Sequence, residues 1–466
     1  VTEVEVSGPP RAAEGSRVPE GGAPVLEGVD AAEGLALLAS LVDRVTWLDR
    51  SAFLLSAFGP RPSWLSHAAV SPMLPRGAAT AGPDARAGDG AAAGPSGRRL
   101  AVAFAPEHGD HATAWAAAHG HRLLAPPGGV TALAADKIDA LTVFRASGVD
   151  VPEHVVIPAE ARRPAASYWP SHWERAVLQR RENNLLGRGT WPVGDATELE
   201  VALRRQPGRA LRLSRMCPGL PLTVSGCVGG DRTVVSAVSH QLVGLPQLGA
   251  AWGTHCGNQL LAPEDVAPGL YAAARDAGRR VGETLRGLGY RGVFGLDLLA
   301  GDDGDDVLAV EINPRFQTVV SLVQGAERAA GLLPSLGLHI LACLLPRLPA
   351  GRTTMGPVPR LSQLVVHADR PRFLKSAPLR GRCRIAPDGS LLSESGDAAA
   401  HGPLTALGPD EALCWPHAAD GRVSPGDELL LMQFSGRTCP LEPRPALGPL
   451  ARHWVAAATR SLGGPE

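Results

Sequence analysis

The chain has 466 residues, 44% of them hydrophobic, and 45 basic side chains against 46 acidic ones leave a formal charge of −1. That balance excludes the electrostatic footprint of a nucleic-acid or anionic-membrane binder, and no apolar run reaches the ~20 residues of a spanning helix. Seven scattered cysteines without a Cys-x-x-Cys spacing read as free thiols of a reducing cytoplasm, and the opening stretch, Val1 to Val6, has no signal-peptide character.

A chain of this length predicts roughly two to four domains. Residues 1–28, rich in Gly, Pro, Glu and Ala, read as a flexible arm. Apolar residues at helical spacing (Leu35, Leu37, Leu38, Leu41, Val42) predict a helix from Ala31, and 52–57 reads as a short buried strand. The low-complexity stretch 77–97 reads as a surface loop. A strand over 100–104, a helix over 112–119 and a strand over 121–125 predict a small parallel α/β domain spanning 29–130.

A helix is expected over 135–146 with Asp136 and Lys137 at its start, then a strand over 154–157. Lys137 is one of only two lysines, the other being Lys375. A lysine kept where arginine is used almost everywhere suggests a need for a compact charge with three donors. A strand over 176–179 precedes Gly187, Arg188, Gly189 and Thr190, whose glycines allow the backbone to approach a phosphate. An apolar segment over 211–217 follows, containing Ser214, Met216 and Cys217. Two strands, 222–227 and 233–238, flank a Gly-Gly-Asp-Arg turn. The glycine-rich 240–256, with His240, Gln241, Trp252 and His255, reads as a substrate-facing loop. An amphipathic helix over 271–288 then leads into two strands around an acidic turn at 301–305.

That hairpin carries charge inside apolar strands: Asp297 in the first, Glu311 and Asn313 in the second. If Ala300 faces Asp306, Asp297 faces Ala309, Glu311 is its diagonal neighbour, and all three polar groups share one face. Two carboxylates and an amide oxygen suit Mg²⁺ (or Mn²⁺) held jointly with phosphates. Pro314 ends the strand, and Arg315 leaves the sheet where it can neutralise a phosphoryl group. A helix over 332–345 closes this region. Beyond Pro346, strands over 361–366, 383–385 and 429–434 and a helix over 450–462 predict a small C-terminal α+β domain with a basic cluster around Lys375.

Asp297 with Glu311-Ile312-Asn313-Pro314-Arg315 resembles the metal-binding core of the ATP-grasp superfamily, and the Asp136-Lys137 segment followed by the 154–157 strand resembles the entry to that fold. The resemblance implies an α/β and α+β multidomain protein: a pre-domain (29–130), an ATP-grasp core (131–350) and a C-terminal domain (351–466). It implies ATP and Mg²⁺ as cofactors. Lys137, Gln179, Gly187, Arg188, Gly189, Thr190, Ser214, Met216 and Cys217 would bind the nucleotide, Asp297, Glu311 and Asn313 the metal, and Arg315 and His255 would serve catalysis. The sequence departs from the family at Gln179, where a lysine is usual, and at Ser214, Arg215 and Pro221, where hinge acids are usual.

In layout the chain is similar to ATP-grasp peptide ligases of actinobacterial natural-product pathways, such as the pheganomycin type. The implied reaction joins an amino acid, or another small carboxylate, to the amine of a peptide through an acyl phosphate, giving ADP and phosphate in the cytoplasm. A homodimer is compatible with this; a nucleic acid or a membrane as partner is not expected. A free amino acid or small amine as acceptor is the alternative within this chemistry. A non-catalytic ATP-binding regulator is the alternative outside it.

Overall fold

The computed structural model describes residues 26–49, 52–70, 99–160, 163–182, 189–301, 306–354, 356–374, 379–393, 402–417, 421–443 and 446–462. Most of the expected arm, the 77–97 loop, Gly187, Arg188, most of the acidic turn and Lys375 lie outside these residues.

The centre is one antiparallel ten-stranded sheet. Five of its strands come from the expected core, in the order Val307–Asn313, Gly292–Ala300, Pro221–Val228, Thr233–Val243, His255–Leu260. The sheet continues through Leu361–His367, Glu428–Ser435, Glu411–Pro416, Gly381–Ile385 and Leu391–Ser393. The C-terminal region is therefore hydrogen-bonded into the same sheet, with helix Pro449–Ser461 packed over its far end.

Alternation decides what each face covers. Val235 points to the core shared with helix Leu270–Gly287, whereas its neighbour Val234 points to the core shared with helices Val320–Ala329 and Ser335–Leu344. The 270–287 helix buries Leu270, Tyr271, Ala274, Ala277, Val281 and Leu285, a three-to-four residue repeat. It lies close to the sheet at Gly282, where a Cβ would come within 2.3 Å of the Thr233 side chain.

Two smaller sheets flank this slab. The N-terminal one is all parallel, in the order Leu65–Ala69, Arg44–Asp49, Arg99–Ala103, Arg122–Leu124. The other is antiparallel, in the order His154–Ile157, Leu211–Arg215, Ala176–Arg180, Thr190–Val193. Helix Ala196–Arg204 covers it, capped by Asp195, whose carboxylate accepts from Thr197 and Glu198 N–H.

Several local expectations are corrected. Residues 53–58 form a buried helix, Phe53–Phe58, and not a strand; an apolar run this short does not reveal its period. Residues 26–29 are no arm but a strand, Leu26–Val29, paired with Gly351–Thr354. The helix expected over 135–146 is two helices, Gly128–Ala135 and Ala140–Ser147. Between them the Asp136 carboxylate accepts from Ile138 and Asp139 N–H, and this local turn competes with helix continuation. Lys137 thus sits in a turn. Of the 240–256 segment, residues 244–254 form the expected loop, and only its two ends belong to strands Thr233–Val243 and His255–Leu260.

Candidate active site

The two predicted metal strands pair as a hairpin, but in a different register. Ala300 faces Val307, Leu298 faces Ala309, and then Asp297 faces Glu311 directly, with Val310 left over as a β-bulge. Without the bulge the register of the strand ends would put Glu311 on the face opposite Asp297. The extra residue, invisible to an ideal hairpin drawn from the turn, brings the carboxylates into direct opposition where a diagonal relation was expected.

Each carboxylate is oriented by neighbours. Asp297 Oδ1 accepts from Thr223 Oγ1 at 2.9 Å and from Gln317 Nε2 at 3.2 Å. Gln317 crosses over Gly295, where a Cβ would fall 1.6 Å from its Oε1, so only glycine leaves room for it. Asn313 Nδ2 donates to Asp297 Oδ2 at 3.0 Å and lies 3.4 Å from Glu311 Oε1. Lys137 Nζ stands 2.5 Å from Glu311 Oε2. Burial, then the Glu311 charge, raises the Asp297 pKa. Burial acts on Glu311 in the same sense, but the Lys137 ammonium, Arg315 and the Asn313 amide together outweigh it and hold Glu311 below the usual carboxylate range.

This donor set fits a hard cation. Two carboxylates converge on one N–H donor, Asn313 Nδ2, which marks the space between them as a cation position. Arg315 is fixed beside it: Nη2 donates to Asn313 Oδ1 at 2.9 Å, and Nε lies 3.1 Å from Glu107 of the N-terminal region.

Arg212 is the main residue that the sequence reading missed. It is 2% exposed. Its Nη1 donates to the Lys137 carbonyl at 3.1 Å, and its Nη2 to Gln179 Oε1 at 2.8 Å and to the Val310 carbonyl at 3.0 Å. One guanidinium therefore ties together the lysine turn, the small sheet and the bulge. Burial lowers its pKa to about 10, so it stays charged at neutral pH. A signal was present: Leu211 and Leu213 pack into the small sheet's core, which sends Arg212 and Ser214 to the other face. Glu107, Thr223 and Gln317 left no comparable pattern.

All of this opens on one cavity of about 1190 Å³ between the sheets. Gln179, Thr190, Ser214, Met216 and Cys217 line it from the small sheet, and Asp297, Glu311, Asn313, Arg315 and His255 from the large one. Lys137 reaches it through Glu311; Gly189 is not among the lining residues, and its carbonyl accepts from Arg180 N–H next to Thr190. His240 is turned away; it is fully buried and its Nδ1 lies 3.1 Å from Gln259 Nε2. Among the described residues no C-terminal arginine lines the cavity; Arg372 pairs with Asp369 and Arg382 with Glu411.

Residues 134–319 match the family model described as the ATP-grasp domain. The chain is similar to a carboxyaminoimidazole ribonucleotide synthase from Aspergillus clavatus solved with ATP: TM-score 0.55, 15% identity, 84% of this chain against 94% of that one. It is also similar to an L-amino acid ligase from Bacillus licheniformis: TM-score 0.50, 11% identity, 73% against 76%. A third similar structure is the biotin carboxylase domain of a Hydrogenobacter thermophilus 2-oxoglutarate carboxylase, solved with MgADP and bicarbonate: TM-score 0.50, 13% identity, 73% against 71%. No curated protein sequence matches the chain. The fold is an ATP-grasp fold of mixed α/β content, and the hairpin, the lysine turn and the small sheet all fall within the matched residues.

Proposed function

We propose that this protein is an ATP-dependent carboxylate–amine ligase that forms an amide through an acyl phosphate, with an amino acid as donor and an amino acid or peptide as acceptor. The observation that carries the reading is the Asp297–Glu311 pair, flanked by Lys137 and Arg315 in one cavity that is large enough for a nucleotide and a second substrate. The similarity to a solved L-amino acid ligase supports the donor class. The pheganomycin-type assignment to a peptide acceptor rests on layout.

Asp297, Glu311 and Asn313 would hold Mg²⁺, which when bound offsets negative charge on the phosphate oxygens. Lys137 and the loop ending at Gly189 and Thr190 hold the phosphates, and Arg212 stands behind them where the family has a lysine at the position of Gln179. Ser214, Met216 and Cys217 form the wall for the base. Arg315, kept in place by Glu107 and Asn313, neutralises the transferring phosphoryl group and then the oxyanion formed when the amine attacks. His255 Nε2 is 2.8 Å from Asn258 Oδ1, an arrangement that orients the ring at the cavity wall. Its pKa is lowered, chiefly by burial, so the ring is neutral and able to take a proton.

The test is product analysis with MgATP, a panel of amino acids and bicarbonate as donors, and amines and short peptides as acceptors. ADP and phosphate released only when donor and acceptor are both present supports the ligase. AMP and pyrophosphate, or no turnover despite ATP binding, overturns it.

A further inference from the structure

We infer that the part of the cavity beyond Arg315 is the subsite for the amine substrate, and that it selects an acceptor carrying a second positive charge, such as a diamine or a basic amino acid. The inference rests on the ligase reading above.

Three separate regions converge there. The parallel N-terminal sheet contributes Asp49, at the carboxyl end of strand Arg44–Asp49, and Phe104, just past strand Arg99–Ala103. These two strands are hydrogen-bonded neighbours, with Leu65–Ala69 on the outer side of the first and Arg122–Leu124 on the outer side of the second. Strand order thus reverses between them, and the crevice at the carboxyl ends of such a pair is where open parallel sheets bind ligands. Helix Phe53–Phe58 adds Phe53. The extended large sheet adds His255, Glu428 and, one residue past strand Glu411–Pro416, His417.

The chemistry of these linings favours a cation. Two carboxylates, Asp49 and Glu428, face the space. The cavity's other arginines among the described residues, Arg175, Arg212 and Arg215, belong to the small sheet or to the segments beside it, on the nucleotide side. His417 Nδ1 lies 2.9 Å from Glu428 Oε2 and donates to that carboxylate, which fixes the ring at the cavity wall. Burial lowers the pKa of His255 and of His367, the strand neighbour of Glu428, and neither adds charge at neutral pH. Phe53 stands 6.3 Å from Phe104 and 5.9 Å from the His417 ring, and aromatic faces attract cations. The attacking nitrogen must be uncharged and must reach the acyl carbon at Arg315, so the charge read here is a second one on the same molecule.

The experiment compares matched acceptors, 1,5-diaminopentane against pentylamine and lysine against norleucine. Hydroxylamine, small and uncharged, is the control nucleophile that traps the acyl phosphate without needing the subsite. Expected for the wild type is a KM at least about tenfold lower for the charged member of each pair. Expected for Glu428→Gln, and separately for Asp49→Asn, is a drop of at least about tenfold in the ratio of amide to hydroxamate with lysine, with circular dichroism like the wild type. Equal KM values within each pair, a charge preference that follows the donor, or amide and hydroxamate falling together in both variants would overturn the inference. Absence of hydroxamate from the wild type with every donor would sink the ligase reading first, and this one with it.

Discussion

Across the cavity, the large sheet and the small sheet hold their polar groups in different ways. On the large sheet three charged side chains are each gripped by a partner from another segment: Asp297 by Thr223 and Gln317, Glu311 by Lys137, Arg315 by Glu107. On the small sheet the site-facing groups stand on strand ends, and Arg212 alone ties them to the opposite wall by reaching the Val310 bulge. One wall is thus preorganised for charge development, the kind of electrostatic arrangement that lowers barriers. The comparison teaches that reaction geometry here depends on contacts between segments far apart in sequence, more than on either strand alone.

The sharpest way to break this comparison is Glu311→Gln. It removes one carboxylate of the proposed cation site and leaves Lys137 without its ion pair, and turnover is expected to fall by about 10³-fold or more. A stopped ADP-release assay with far-UV circular dichroism checks it; near-normal activity would remove the carboxylate pair from the mechanism.

Arg212→Met tests the link between the walls. It leaves the carbonyls of Lys137 and Val310 and the Gln179 amide oxygen without a donor, at about 1–3 kcal/mol for each buried group so orphaned. The expected outcome is a lowered melting temperature together with a kcat loss of about tenfold or more. Arg212→Lys should recover less than half of that activity, because one ammonium cannot reproduce the planar fork. A variant that loses stability but keeps kcat would show that the bulge does not need the guanidinium.

The smallest effect separates the buried framework from the site. His240 and His339 are both pushed down to about 4 by burial, and His339 Nδ1 accepts from Val293 N–H at 3.0 Å, which requires a neutral ring. Their folded values lie below the ordinary 6.5, so the unfolded chain takes up protons first. Their contribution is full above about pH 6.5 and is lost as pH falls toward 4. Asp297, whose pKa is raised, acts with the opposite sign. A melting temperature roughly 2–4 °C lower at pH 5 than at pH 7.5 is expected, and His339→Gln should flatten the profile.

Sequence by itself determined the hairpin that carries Asp297, Glu311 and Asn313 with Arg315 just beyond it, and the helices at 31–41 and 270–287, because period and charged residues in apolar strands are local signals. It also marked Lys137, through its rarity, but not its turn, since Asp136 ends the helix by a side-chain bond that propensity does not weigh. Tertiary structure alone decided the rest. The bulge at Val310 depends on a strand register closed by long-range pairing, and Arg212 gained its role only when three distant segments met at its guanidinium. The C-terminal strands joined the central sheet because an exposed edge at His255–Leu260 takes a partner from anywhere in the chain. Contacts of this kind carry no local sequence period, and only the folded chain could reveal them.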